Sequence, residues 1–226
     1  MSIKAILFDL DNTLMDRDWT FRQFATQLIN ECLVKMSAEE QEKQIAYMIE
    51  SDADGYRDKQ GFFLELIERL PWVNRPDLAE LTRYYKLNYM THARVMNHGV
   101  RTLEQCKALG LRLGVITNGK SELQHGKIDR LGLRPFFDTI VVSGDIGIKK
   151  PDPRIYMTAL ERLGTVAEET IIVGDHPRND LWGAAELGIR GVWLHRAHTW
   201  DVEGRPWQEI HELNELIPLI QEQINP

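Results

Sequence analysis

The sequence predicts a doubly wound parallel α/β sheet with a helical domain inserted into it. Three observations lead there. From residue 99 onward, short and continuously apolar runs alternate with amphipathic stretches; several of those stretches end in Gly; and residues 18–91 show helical spacing with no convincing strand. Strands that are apolar throughout, rather than alternating, are buried on both faces, which is the situation of a parallel sheet covered by helices.

In chain order, residues 3–9 (IKAILFD) read as a buried strand. Helical segments follow over 21–36, 37–50, 60–70 and 77–90. In the first of them Phe21, Phe24, Ala25, Leu28 and Cys32 recur at three- and four-residue steps. Ser37 with Glu40 forms a capping box, and Pro71 and Pro76 punctuate the later segments. Alternation then begins: helix 100–110, strand 111–117, helix 121–132, strand 139–143, helix 153–164, strand 170–175, helix 178–188, strand 190–195 and a closing helix over 210–224. The first strand must rejoin this sheet, since alone it leaves its backbone groups unpaired. Residues 1–15 and 95–226 therefore form the α/β core, and 16–94 the helical insertion.

At 226 residues the chain is long enough for such a core with a smaller inserted domain. A net charge of -7 argues against a nucleic-acid polymer or an anionic membrane as partner, because both need a basic face. No apolar run approaches the ~18 residues that span a bilayer. The first residues carry acids where a signal peptide has its small-residue cleavage site. Cys32 and Cys106 make neither a disulfide framework nor a zinc pattern. The expectation is a cytoplasmic protein of undetermined oligomeric state.

In doubly wound sheets ligands bind beyond the carboxyl ends of the strands. That rim receives Asp9 and Asp11 from the first strand and Thr117 and Asn118 from the second. It also receives Lys149 and Lys150 from a later loop, and Asp175 and Asp180 around another strand end. Clustered carboxylates call for a hard cation, and an oxygen-only set favours Mg²⁺ over zinc. A Lys and a Thr beside that cation suit a phosphate.

The segments DLDNT (9–13), TN (117–118), KKPDP (149–153) and GDHPRND (174–180), in this order and each at a strand end, resemble the motifs of the haloacid dehalogenase-like superfamily, most of whose members are phosphatases. The helical insertion resembles that family's cap. The resemblance implies Asp9 as the nucleophile that becomes an aspartyl phosphate, and Asp11 as the general acid and base. It implies Thr13, Thr117 and Asn118 as ligands of phosphoryl oxygens, and Lys150 as the neutralising cation. Mg²⁺ would be held by Asp9, Asp175 and the backbone carbonyl of Asp11, with Asp180 supporting the site. The core segment 114–156 resembles pyrimidine 5′-nucleotidases and phosphoglycolate phosphatases. A small phosphorylated metabolite is the expected substrate, a nucleoside monophosphate the first choice and a phosphoglycolate or sugar phosphate the alternative.

Blander readings stand beside these. Asp-x-Asp by itself is ordinary turn chemistry, and Asn118-Gly119 a turn. Asp180 suits a helix N-terminus. His195, His198 and His211 show no metal-ligand spacing with an acid or Cys and read as loop and surface histidines; Trp193, Trp200 and Trp207 read as anchors. The rival enzymes are a 2-haloacid dehalogenase, against which Asp11 argues, a phosphonate-cleaving enzyme and a phosphomutase. The rival from another class is a phospho-ligand-binding regulator without turnover.

Overall fold

The computed structural model describes residues 2–224. The chain divides into two compact units, Met1–Asp16 with Val95–Pro226, and Arg17–Arg94.

Strand β1 (Ala5–Phe8) is buried at every residue and lies inside the sheet of the first unit. The second unit follows as four helices: α1 (Arg17–Cys32), α2 (Ala38–Asp52), α3 (Lys59–Arg69) and α4 (Leu78–Asn88). The Ser37–Glu40 capping box is present, and Asp77 with Glu80 makes a second one at the start of α4. Phe21, Phe24, Ala25 and Leu28 are buried along α1, whereas Cys32 at its end is only half-buried. An aromatic cluster fills the unit: Phe24 meets Tyr85 edge-on at 5.1 Å, and Tyr85 stacks on Tyr89 at 4.7 Å.

A charged cluster is also built into this unit. Asp52, 1% exposed, accepts from both Arg17 and Lys59, and Arg17 reaches Asp54 at 3.0 Å. Ala53, Asp54 and Gly55 all have left-handed backbone. Gly suits the third position, where φ is +82° and a Cβ would stand 2.8 Å from the Arg17 guanidinium.

The first unit then resumes with α5 (Gly99–Ala108), β2 (Arg112–Thr117), α6 (Ser121–Arg130), β3 (Thr139–Val142), α7 (Ser143–Ile146) and α8 (Pro153–Leu163). It closes with β4 (Thr170–Gly174), α9 (Gly183–Ala185), β5 (Arg190–Leu194), β6 (Gln208–Ile210) and α10 (Leu216–Ile224). The six strands form one sheet in the order β3-β2-β1-β4-β5-β6, with every pairing parallel. This is the α/β architecture the alternation predicts. Burial is nearly complete along β1, β2 and β4, which explains their unbroken apolar sequences.

The first helix starts four residues earlier than expected and the short α7 was not expected, but two other differences bear more on function. Residues 178–188 do not form one α-helix: a π-helical turn, Pro177–Trp182, precedes the short α9. The wider turn leaves Asp180 buried, its carboxylate accepting from the His176 N–H at 2.9 Å. The second difference is β6, at the start of the segment expected to be the closing helix. Its sequence, Gln-Glu-Ile, is too short and polar to signal a strand, and it pairs because it lies at a sheet edge, where one face and one side stay wet.

Candidate active site

The carboxyl ends of β1, β2 and β4 deliver the chemistry. The Asp9 amide continues the β1–β4 ladder by donating to Val173 O at 2.9 Å, so the first carboxylate is placed by sheet hydrogen bonding. Beyond it Asn12 takes left-handed backbone, which Asn tolerates, and the chain coils so that Leu14 and Met15 both donate to Leu10 O.

Asp9, Asp175 and Asp180 are all at least 93% buried, and one carboxylate oxygen from each lies within 4.8 Å of the others. Asp180 reaches this group because Gly174 gives it room: a Cβ at 174 would stand 2.4 Å from the Asp180 side chain. Lys150, preceding a cis peptide bond to Pro151, sends its ammonium into the group. It donates to Asp9 at 2.5 Å, to Asp180 at 2.7 Å and to the Ile116 carbonyl at 2.8 Å. All three ammonium protons are thereby directed.

The electrostatics are lopsided. Burial drives the Asp9 carboxyl up from its ordinary 3.8 to about 7; Lys150 opposes that rise and Asp180 adds to it. Burial alone would lower the Lys150 ammonium, but the carboxylates of Asp180 and Asp9 outweigh it and hold its pKa up. Three buried carboxylates near one ammonium leave an excess of negative charge, of which the His198 imidazole, 3.7 Å from Asp175 Oδ2, offsets at most one. Together with an all-oxygen donor set, that excess fits a hard divalent cation such as Mg²⁺.

The remaining sequence candidates fall around this group. The Asp11 carboxylate lies outside it and is gripped by residues of α6: Lys127 Nζ donates to both oxygens at 2.7 Å, and Gln124 Nε2 donates to Oδ2 at 2.9 Å. The same Gln124 amide donates to Thr117 Oγ1 at 2.5 Å. The Asn118 side chain is engaged with backbone: its Oδ1 accepts from Lys150 N at 2.8 Å and its Nδ2 donates to Lys150 O at 3.0 Å. It clamps the backbone that carries the ammonium. Thr13 is fully buried, and its hydroxyl has no hydrogen-bond partner among the described residues. Lys149 is exposed, in contrast to Lys150.

Sequence reasoning missed Gln124 and Lys127. Their one signal was spacing: they share a helix face with Ile128, the buried face of α6, where a Lys and a Gln need polar partners. It also missed a grouping of histidines. His195 and His211, expected as unrelated surface residues, come together with Glu209 because β6 pairs with β5.

A family model for haloacid dehalogenase-like hydrolases matches residues 6–194. Glyceraldehyde 3-phosphate phosphatase of Methanocaldococcus jannaschii is 31% identical over 225 residues, covering 96% of this chain and 97% of that protein. Pyrimidine 5′-nucleotidase YjjG of Escherichia coli is 36% identical over 111 residues, covering 47% of this chain and 49% of that one. The crystal structure of a HAD phosphatase from Thermococcus onnurineus superposes with a TM-score of 0.66 at 26% identity, covering 96% of this chain and 98% of that one.

Proposed function

The chain belongs to the haloacid dehalogenase-like hydrolase family and is a phosphoric monoester hydrolase, and from that premise we propose that it is a Mg²⁺-dependent phosphatase of short sugar phosphates acting through a phosphorylated Asp9. The observation that carries the reading is the buried Asp9 carboxylate, held on Lys150 and crowded by Asp175 and Asp180.

In the first step an Asp9 oxygen attacks phosphorus, the P–O bond to the leaving group breaks, and the Asp11 carboxyl gives its proton to the departing alkoxide. In the second, the Asp11 carboxylate takes a proton from the water that attacks the aspartyl phosphate, and inorganic phosphate leaves with Asp9 restored. Lys150 offsets the charge on nucleophile and phosphoryl oxygens through both steps, at a position held by Asn118. Thr13 and Thr117 orient phosphoryl oxygens. When bound by Asp9, Asp175, Asp180 and the Asp11 backbone carbonyl, Mg²⁺ would neutralise charge building up on the transferred group. The helical unit, in this reading, is the substrate-selecting cap. A reducing, cytoplasmic setting suits the two free thiols, Cys32 and Cys106.

For substrate, the relative matched over nearly its whole length is a glyceraldehyde 3-phosphate phosphatase, whereas the nucleotidase match spans about half of each chain. The likeness that extends over nearly the whole chain, helical unit included, supports a phosphorylated triose or similar sugar over the nucleoside monophosphate first expected. The nucleotidase likeness keeps the nucleotide as the second reading. Phosphate release should be measured on glyceraldehyde 3-phosphate, hexose phosphates, phosphoglycolate and nucleoside monophosphates, with Mg²⁺ and with EDTA. The expected result is kcat/KM at least about 10-fold higher on a sugar phosphate than on any nucleotide, the scale one pocket contact provides, and loss of turnover in EDTA. A nucleotide ranking first overturns the substrate; full activity in EDTA overturns the metal.

A further inference from the structure

The β5–β6 edge carries a second group of ligating side chains, unrelated to the acids of the active site. The parallel register sets Leu194 opposite Ile210, and the ladder runs on through His195 N, which donates to Ile210 O at 2.8 Å. Side chains two residues apart on a strand share a face. His195 therefore emerges beside both Glu209 and His211. Glu209 Oε1 lies 2.7 Å from His195 Nδ1 and 3.9 Å from His211 Nε2, and one ligating atom from each of the three residues lies within 4.8 Å of the others.

We infer that His195, Glu209 and His211 form a binding site for a zinc-class divalent ion. Two imidazoles and one carboxylate are the donor set that such borderline ions prefer and that Mg²⁺ does not. Tetrahedral coordination with bonds of about 2.0–2.2 Å separates donor atoms by about 3.3–3.6 Å. The two spacings to Glu209 bracket that value, so rotation of side chains alone brings the set into register while the strands stay in place. His195 is further oriented by stacking on the buried Trp193, with ring centroids 4.2 Å apart and planes at 18°. A surface ion pair would need only His195 and Glu209; His211, delivered from the same strand as Glu209, makes it a three-sided site. All three side chains are solvent-accessible, which leaves the remaining coordination positions to water.

The test is equilibrium dialysis of the full chain against Zn²⁺ in millimolar Mg²⁺, which competes for the carboxylate group. Wild type is expected to hold one Zn²⁺ that His195→Ala and His211→Ala each bind at least about 100-fold more weakly, more than the loss of an outer-shell contact costs. Asp175→Asn is expected to keep it. A visible Co²⁺ spectrum present in wild type and absent in His211→Ala would agree. Zn²⁺ held equally by both histidine variants, or lost only in Asp175→Asn, overturns the assignment. Both histidine side chains reach solvent, so folding of the alanine variants, checked by circular dichroism, is expected to match wild type.

Discussion

Two buried charge clusters, one in each unit, have similar ingredients and opposite balance. In the helical unit, Arg17 and Lys59 meet Asp52 and Asp54, two cations for two carboxylates. In the α/β unit, Lys150 pairs with Asp9 and Asp180, and the nearby Asp175 lies 3.7 Å from the His198 imidazole, so these acids outnumber these cations even with that ring charged. A balanced cluster can be left alone as scaffold, since each buried charge has its partner. An unbalanced one is costly until something cationic or a reaction completes it. Charge bookkeeping therefore separates framework from site where burial alone does not.

The largest effect expected is on turnover. Asp9→Asn should lower kcat by at least about 10⁴-fold, the scale on which hydrolases lose activity with their nucleophile. Its stability should move the other way from that of an ordinary buried charge. Because the folded Asp9 pKa lies near 7, above the ordinary 3.8, the folded state binds the extra proton, and its ionisation opposes folding as pH rises from about 4 to 7. In EDTA at pH 7 the Asn variant should melt no lower than wild type. A clear drop in melting temperature would mean that the cluster is balanced after all.

Next in size, Asp52→Asn strands two cations in the helical unit. The expected cost is about 3 kcal/mol in urea denaturation, the low end for a broken buried pair because Lys59 reaches solvent and Arg17 keeps Asp54. A loss below about 1 kcal/mol would erase the contrast between the two clusters. The smallest effect belongs to Lys127. Lys127→Met should reduce kcat about 10-fold with little change in KM, since Gln124 still holds one Asp11 oxygen. Lys127→Arg should restore most of the rate; an equal loss in both variants would make the residue simple packing.

Much of the molecule was legible from the chain. The continuously apolar runs of β1 and β4 forecast buried parallel strands, and the four motifs at strand ends forecast which carboxylates would share a rim, because the crossover topology leaves few other arrangements. Less legible were contacts that depend on a helix face turning inward. Gln124 and Lys127 look like surface residues in sequence, and nothing in the sequence places the Asn118 amide against the Lys150 backbone. The strand β6 was unreadable, being three residues of mixed polarity that become a strand only because β5 offers an open edge.

By itself, then, the sequence determined the α/β class, the order of the motifs and which acids are candidates for the chemistry, since hydrophobic period and residue chemistry are local properties. Tertiary structure alone decided which cation answers which carboxylate, that Asp180 enters through a π-helical turn over Gly174, and that two distant histidines share Glu209. Those outcomes depend on register and on side-chain approach across elements, which chain spacing does not encode.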